Sequence, residues 1–278
     1  KRQGIALVGM LDGDRFVVTL NQSPGASVSV ADVEAKRLAS EVQTAGCAGV
    51  FPAGPSRFGM LCGDGTAITV HLRDDGALDH ITRSKPFFDV VADPLAEKGV
   101  RDGSTWWFPS FEGLLNENHF GGDAPAPKEP WPLLTDDEMK AGWRVGGAQH
   151  LAYHAGMQRL YSVVHKGGPG SHKDPGAEIW VYALPSKKKQ EVIPAPNLIA
   201  AFLGPQAGFD ATGTLGKALN FVLPNMGVHS VAVTQDSQPL LFIRHADLGA
   251  IGVLDALSGE HLRDIDEAGI SGALLVVP

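Results

Sequence analysis

The sequence predicts an all-β fold, and three observations carry that prediction. Short runs such as GASVSV at 25–30 and AITVHL at 67–72 alternate apolar with polar residues, the period of a half-buried strand. Between the runs lie turn residues, as in DDG at 74–76 and ALSGE at 256–260. The unit also recurs. Aligned on their middle strands, four copies read GASVSVAD, TAITVHLRDDG, GAEIWVYALP and GAIGVLDALSG, each an alternating strand running into a polar or Gly-containing turn. The first copies follow one another at roughly 40–50 residues, the order expected of propeller blades, and the later ones lie farther apart. A helical fold would need a 3.6-residue period that these segments lack. A plain two-sheet sandwich is the alternative, but recurrence of a whole four-strand unit favours a β-propeller.

In order along the chain, the apolar run 4–10 opens the first sheet, the turn at 12–14 ends it, and strands follow at 16–20, 25–30 and 38–42. A second sheet takes 57–61, 67–72 and 78–82. A weaker third takes 103–109 and 111–115. The fourth spans 159–193, with strands at 160–164, 177–182 and 191–193 and a long Gly/Pro/Lys/His loop inside its first hairpin. The fifth takes 239–243, 249–255 and 261–265. Two segments depart from the repeat and are expected as excursions from a single propeller domain spanning 1–278. One is 116–142, where a Pro-rich patch precedes LLTDDEMKAG; Thr135 with Glu138 three residues on has the capping-box pattern of a short helix. The other is 197–227. Five copies and a strand-like start predict an incomplete propeller, with blades preceding Lys1 or another chain covering the gap.

Composition narrows the function. Gly 34 and Pro 19 suit many short strands joined by turns. With 23 basic against 31 acidic residues, a formal net charge of -8 and no basic cluster, nucleic-acid binding has no electrostatic footing. No run approaches the roughly 18–20 apolar residues of a membrane-spanning helix.

Chemical motifs are sparse. His150, His154, His165 and His172, with Asp174 and Glu178 nearby, form the densest set of potential metal ligands. AQHLAYH reads as a strand, however, and hydrogen-bonded polar positions explain these histidines without a metal. Cys47 and Cys62 flank a Pro/Gly loop between strand-like runs, which suits either a cross-strand disulfide or two buried thiols. Nucleophile-elbow, phosphate-loop and zinc-protease motifs are absent, and KGGPGSH lacks the strand–loop–helix context of a phosphate site. Trp106, Trp107, Trp131, Trp143 and Trp180 read as core or interface filling.

Several stretches together resemble one family. They are SPGASVSVADVEAK, GCAGVFP with RFGMLCGDG, TRSKPFF, PWPLLTDDEMKAGWRVGGAQHLAYH, RLYSVVHKGGPGSHKDPGAEIWVY, and TQDSQPLLFI with IGVLDALSGEHLRDI. They resemble the heavy, non-quinone subunits of methylamine and aromatic amine dehydrogenases, with CGDG and HKDPGAEIWV slightly nearer the aromatic amine branch. The strand-ending Asp of Asp32 and Asp255 is replaced by Ala183 after IWVY, and 197–227 is longer than the family pattern.

The resemblance implies a seven-bladed propeller, about five blades of which this chain covers. It implies a Cys47–Cys62 disulfide and a periplasmic location. Neither cofactor nor catalytic residue is expected in this chain. Tryptophan tryptophylquinone belongs to a small disulfide-rich light subunit, two of which join two heavy subunits. That complex oxidises a primary amine to aldehyde and ammonia, and its electrons pass to a blue copper protein such as amicyanin or azurin. The loop at 165–175, with His165, Lys166, His172 and Lys173, is expected to face a partner because its length and charge exceed what a blade needs. The competing readings are a stand-alone periplasmic propeller used as a binding module and a lactonase-type propeller hydrolase. The hydrolase needs an axial cation, against which the placement of Asp32, Asp64 and Asp255 in turns argues.

Overall fold

A computed structural model describes residues 7–22, 25–197, 208, 213–215, 218, 225–245, 247–248, 250–265 and 275. The excursion expected at 197–227 lies largely outside them. The chain divides into two compact units, Lys1–Pro132 and Leu133–Pro278.

The first unit holds three antiparallel sheets. Sheet 1 is β1 (Val8–Met10), β2 (Phe16–Asn21), β3 (Ser27–Asp32) and β4 (Arg37–Gln43). Sheet 2 is β5 (Cys47–Pro52), β6 (Arg57–Cys62), β7 (Ala67–Leu72) and β8 (Leu78–Arg83). Sheet 3 runs β9 (Val100–Asp102), β10 (Thr105–Pro109) and β11 (Leu114–His119), and two short pieces, β12 (Ala126–Pro127) and β13 (Trp131–Pro132), both pair with β11. The segment expected as an excursion at 116–142 is therefore divided. Its first part supplies the outer strand position of sheet 3, and Pro127, Pro130 and Pro132 keep that strand in fragments, as an edge position tolerates.

The second unit opens with α1 (Asp136–Lys140), whose Thr135–Glu138 capping box is formed as the sequence predicts. Sheet 4 follows with β14 (Trp143–Val145) and β15 (Leu151–His154), which both pair with β16 (Arg159–Lys166), and then β17 (Glu178–Ala183) and β18 (Lys188–Pro194). Sheet 5 is β19 (Ser230–Val233), β20 (Leu240–Arg244), β21 (Ile251–Asp255) and β22 (His261–Ile265). Every sheet is a meander in chain order, the unit from which propellers are built.

The repeat seen in sequence has a backbone counterpart. Register shifts fall at Val30/Ala31, His71/Leu72, Val181/Tyr182 and Val253/Leu254, in each case within the last three residues of β3, β7, β17 or β21. Such a bulge bends the outer hairpin and strengthens its twist. Asp32 and Asp255 then accept the Ala35 and the Leu257 and Ser258 amides, closing the turn that the strand-ending Asp announces.

Alternation decides what each strand buries. Along β7, Ile68, Val70 and Leu72 join Val18, Val30, Phe58 and Met60 in the core between sheets 1 and 2. Ala67, on the opposite face, packs with Phe51, Phe108 and Phe120 toward sheet 3. In the second unit Tyr161, Val163, Ile179, Val181, Val231 and Ile243 fill the space between sheets 4 and 5. Each such aliphatic or aromatic side chain contributes about 1.5–3 kcal/mol on burial, so face-to-face packing of neighbouring sheets dominates stability within each unit.

Candidate functional site

The long loop of sheet 4 leaves β16 at Lys166 and re-enters β17 at Glu178. His165, one residue before the strand ends, turns inward and is buried. Two glycines make room for it: a Cβ on Gly146 would lie 2.3 Å from its Nδ1, and one on Gly167 2.8 Å from its Nε2. The Ser171 hydroxyl gives its proton to the Gly168 carbonyl at 2.6 Å, so the 2.8 Å contact with His165 Nε2 is a donation from the imidazole. Burial, ahead of the opposing pull of Asp174, holds the His165 pKa below the usual histidine range, consistent with that neutral tautomer.

The rest of the loop is tied down at short intervals. Asp174 donates its amide to Ser171 O at 2.8 Å, and its own carbonyl accepts the Gly147 amide at 2.7 Å. His150 Nε2 donates to the His172 carbonyl at 3.0 Å. Gly176 and Val228 exchange both backbone hydrogen bonds. Of the four residues expected to face a partner, Lys166 and Lys173 are exposed, His172 is half-buried, and His165 points into the protein as a fastener of the loop base. Lys166 Nζ stands 5.3 Å from the Trp143 ring centroid, within cation–π range.

The structure does not gather the sequence's histidine set into a ligand shell. His154 donates from Nε2 to the Asp236 carbonyl at 3.0 Å and accepts the Met157 amide on Nδ1 at 3.1 Å, so both ring nitrogens are engaged. Glu178 instead accepts from the Trp180 indole at 2.7 Å. Two further histidines escaped sequence reading. His229 and His245 pack edge-to-face with centroids 4.5 Å apart, and burial lowers both pKa values. Cys47 and Cys62, directly opposed on β5 and β6, are joined by a disulfide.

A second polar cluster was also missed. His71 on β7 and His80 on β8 are register partners, and their rings stack with centroids 4.1 Å apart and planes 9° from parallel. Alternation sets His71 on the sheet-3 face of β7, beneath Asp123 of the loop between β11 and β12. His71 Nε2 is 2.8 Å from the Asp123 carbonyl, and His80 Nε2 is 3.3 Å from Asp123 Oδ1. His80 Nδ1 lies 2.8 Å from Asp79 Oδ2, and that contact, then Asp123, raises the His80 pKa. The hairpin half was partly readable: the turn closes on the Leu72–Leu78 pair, and the bulge at His71/Leu72 brings His71 opposite His80. The Asp123 half had no local signal.

Comparison with known proteins places this chain. The family profile described as methylamine dehydrogenase heavy chain (MADH) matches residues 6–192. The methylamine dehydrogenase heavy chain of Paracoccus versutus is 26% identical over 249 residues, covering 89% of this chain and 51% of that one. That of Methylophilus methylotrophus is 24% identical over 275 residues, covering 97% and 59%. This chain thus spans a little over half the length of the curated relatives it matches. Among solved structures, the Cps50 (Swd1) β-propeller domain of Myceliophteria thermophila superposes with a TM-score of 0.53 at 10% identity, covering 96% of this chain and 74% of that one, which supports the propeller fold alone. With the profile matching well over half its residues, the chain belongs to the methylamine dehydrogenase heavy chain family.

Proposed function

We propose that this chain serves as heavy-subunit scaffold in a quinone-dependent amine dehydrogenase, holding a small disulfide-rich light subunit in a complex of two heavy and two light chains. The observation that carries the reading is the family match over residues 6–192. In the light subunit, tryptophan tryptophylquinone supplies the oxidation of a primary amine to aldehyde and ammonia, with electrons passing to a blue copper protein of the amicyanin or azurin kind. The relatives above are methylamine dehydrogenase heavy chains, whereas CGDG and HKDPGAEIWV lean toward the aromatic amine branch. The substrate is therefore proposed only as a primary amine.

This chain's own part is to bind and orient. The loop after β16 suits a docking role because its backbone is already fixed by the His165–Ser171, His150–His172 and Gly147–Asp174 hydrogen bonds. A pre-ordered loop loses little conformational entropy on association. It presents Lys166 and Lys173 on a chain whose net charge is -8, a local positive feature suited to an acidic partner surface. A periplasmic location fits the Cys47–Cys62 disulfide, since such bonds persist in oxidising compartments. Among the described residues no helix is long and apolar enough to cross a membrane.

The test is native purification from the source cell followed by intact-mass analysis and a visible spectrum. The expected result is equimolar association with a small cysteine-rich chain and quinone absorbance. A colourless, monodisperse chain without such a companion overturns the proposal and favours a stand-alone binding module. Lys166→Glu with Lys173→Glu should weaken the association at low salt. An unchanged affinity would remove the loop from the interface.

A further inference from the structure

We propose that His71, His80 and Asp123 form a binding site for one divalent late first-row metal ion, Zn²⁺ or Cu²⁺ in type, which clamps the β7–β8 hairpin of sheet 2 to the β11–β12 loop of sheet 3. The site is independent of the heavy-subunit reading and lies within the first unit.

Three geometric features support it. First, cross-strand stacking aims both imidazoles the same way: each presents Nε2 to Asp123, and one ligand atom from each of the three residues lies within 4.8 Å of the others. Second, the 3.3 Å between His80 Nε2 and Asp123 Oδ1 is long for a charge-assisted hydrogen bond. It equals the edge of a tetrahedron with metal–ligand bonds of 2.0–2.1 Å, about 3.3 Å. Third, His80 already has the outer partner that metal-bound histidines use. Its Nδ1 faces Asp79 Oδ2 at 2.8 Å, an arrangement that keeps the proton on Nδ1 and leaves the Nε2 lone pair toward the site.

The surroundings suit entry and retention. His71 is buried while His80 and Asp123 are exposed, so an ion can enter from solvent against one fixed ligand. The Thr82 hydroxyl donates to the Asp123 carbonyl and holds the loop over the hairpin. Two imidazoles and one carboxylate select borderline metals such as Zn²⁺, Co²⁺, Ni²⁺ or Cu²⁺ over Ca²⁺ and Mg²⁺, which prefer all-oxygen shells. Coordination requires His71 to carry its proton on Nδ1 instead of donating from Nε2 to the Asp123 carbonyl. The fourth position is open to water.

The experiment uses the full chain, stripped with a chelator and titrated with Co²⁺ followed optically and with Zn²⁺ by calorimetry. One site per chain is expected, with the intense visible bands of tetrahedral cobalt and a thermal midpoint that rises with added Zn²⁺. His80→Gln and Asp123→Asn should each weaken binding at least tenfold while leaving the metal-free melting profile in place. His261→Gln, which alters the separate His261–Asp264 pair, should leave binding unchanged. Absence of binding overturns the proposal, and so does binding that His80→Gln and Asp123→Asn leave intact.

Discussion

Reducing the Cys47–Cys62 bond should destabilise the chain by about 3 kcal/mol. The two cysteines are register partners on β5 and β6, separated by 15 residues in sequence. In the chain-entropy account, opening a loop of about 15 residues in the unfolded state releases about 10 cal/mol/K, or about 3 kcal/mol at 25 °C. Reduction leaves both sulfur atoms in the buried environment they share with Val50 and Phe58, so little packing is lost. The change is thus assigned to the unfolded chain. Denaturant unfolding of oxidised and reduced protein measures it directly, and the slope m should rise on reduction because the released chain exposes more surface. At 2–4 °C per kcal/mol, the thermal midpoint should fall by about 6–12 °C. The double substitution Cys47→Ala, Cys62→Ala should lose more than reduction does, because it also removes the sulfurs. If oxidised and reduced protein unfold at the same denaturant concentration, the loop-closure argument fails for this sheet.

Three further outcomes follow from individual contacts. The buried Tyr161 hydroxyl donates to the Ala256 carbonyl at 2.7 Å, and burial pushes its pKa up to about 12 from the ordinary 10.0. A pKa raised on folding contributes stability that is complete below pH 10 and is lost between about pH 10 and 12; urea midpoints across that window should fall more steeply for the natural chain than for Tyr161→Phe. A Cβ on Gly59 would lie 2.3–2.5 Å from the Phe120 ring, so Gly59→Ala should cost about 1–3 kcal/mol in denaturant unfolding, and a neutral result would mean the ring yields freely. Lys187 holds φ 55 at the turn position where sheet 5 has Gly259 at φ 71, so Lys187→Gly should stabilise by about 0.5–1 kcal/mol while Lys187→Ala gains nothing.

The legible part of the fold was the part written locally. Sheets 1, 2, 4 and 5 were readable from strand alternation and from turn residues such as Asp32 and Asp255, because both signals lie within ten residues of what they specify. The bulge shared by those four sheets is the structural form of the alignment seen in sequence. Sheet 3 was only half legible. Its outer strand carries prolines that read as a breaker, and only pairing with β11 shows that they sit on an edge where a missing N–H is harmless. The opening strands β5 and β19 lacked alternation of their own. Gly49, at φ 76 in β5, marks the irregular register that hid its CAGVFP run.

Polar side chains follow the same rule with sharper consequences. His165 was visible as a loop histidine, but its direction is set by Gly146, nineteen positions earlier, and by Gly167, whose missing side chains leave the space it fills. A residue expected to face outward thus fastens the loop from within, and the outward chemistry falls to Lys166 and Lys173. His71 and His80 mark the other boundary. The turn sets the Leu72–Leu78 pair, and the bulge at His71/Leu72 then brings His71 opposite His80 instead of Asp79. Which group the pair then meets depends on how sheet 2 packs against sheet 3, and Asp123 lies 43 residues beyond His80. In a fold of repeated meanders, chemistry within a hairpin can be read from its turn and the bulge that the repeat sets beside it. Chemistry between neighbouring sheets needs the packing, and the cluster around Asp123 is of that second kind.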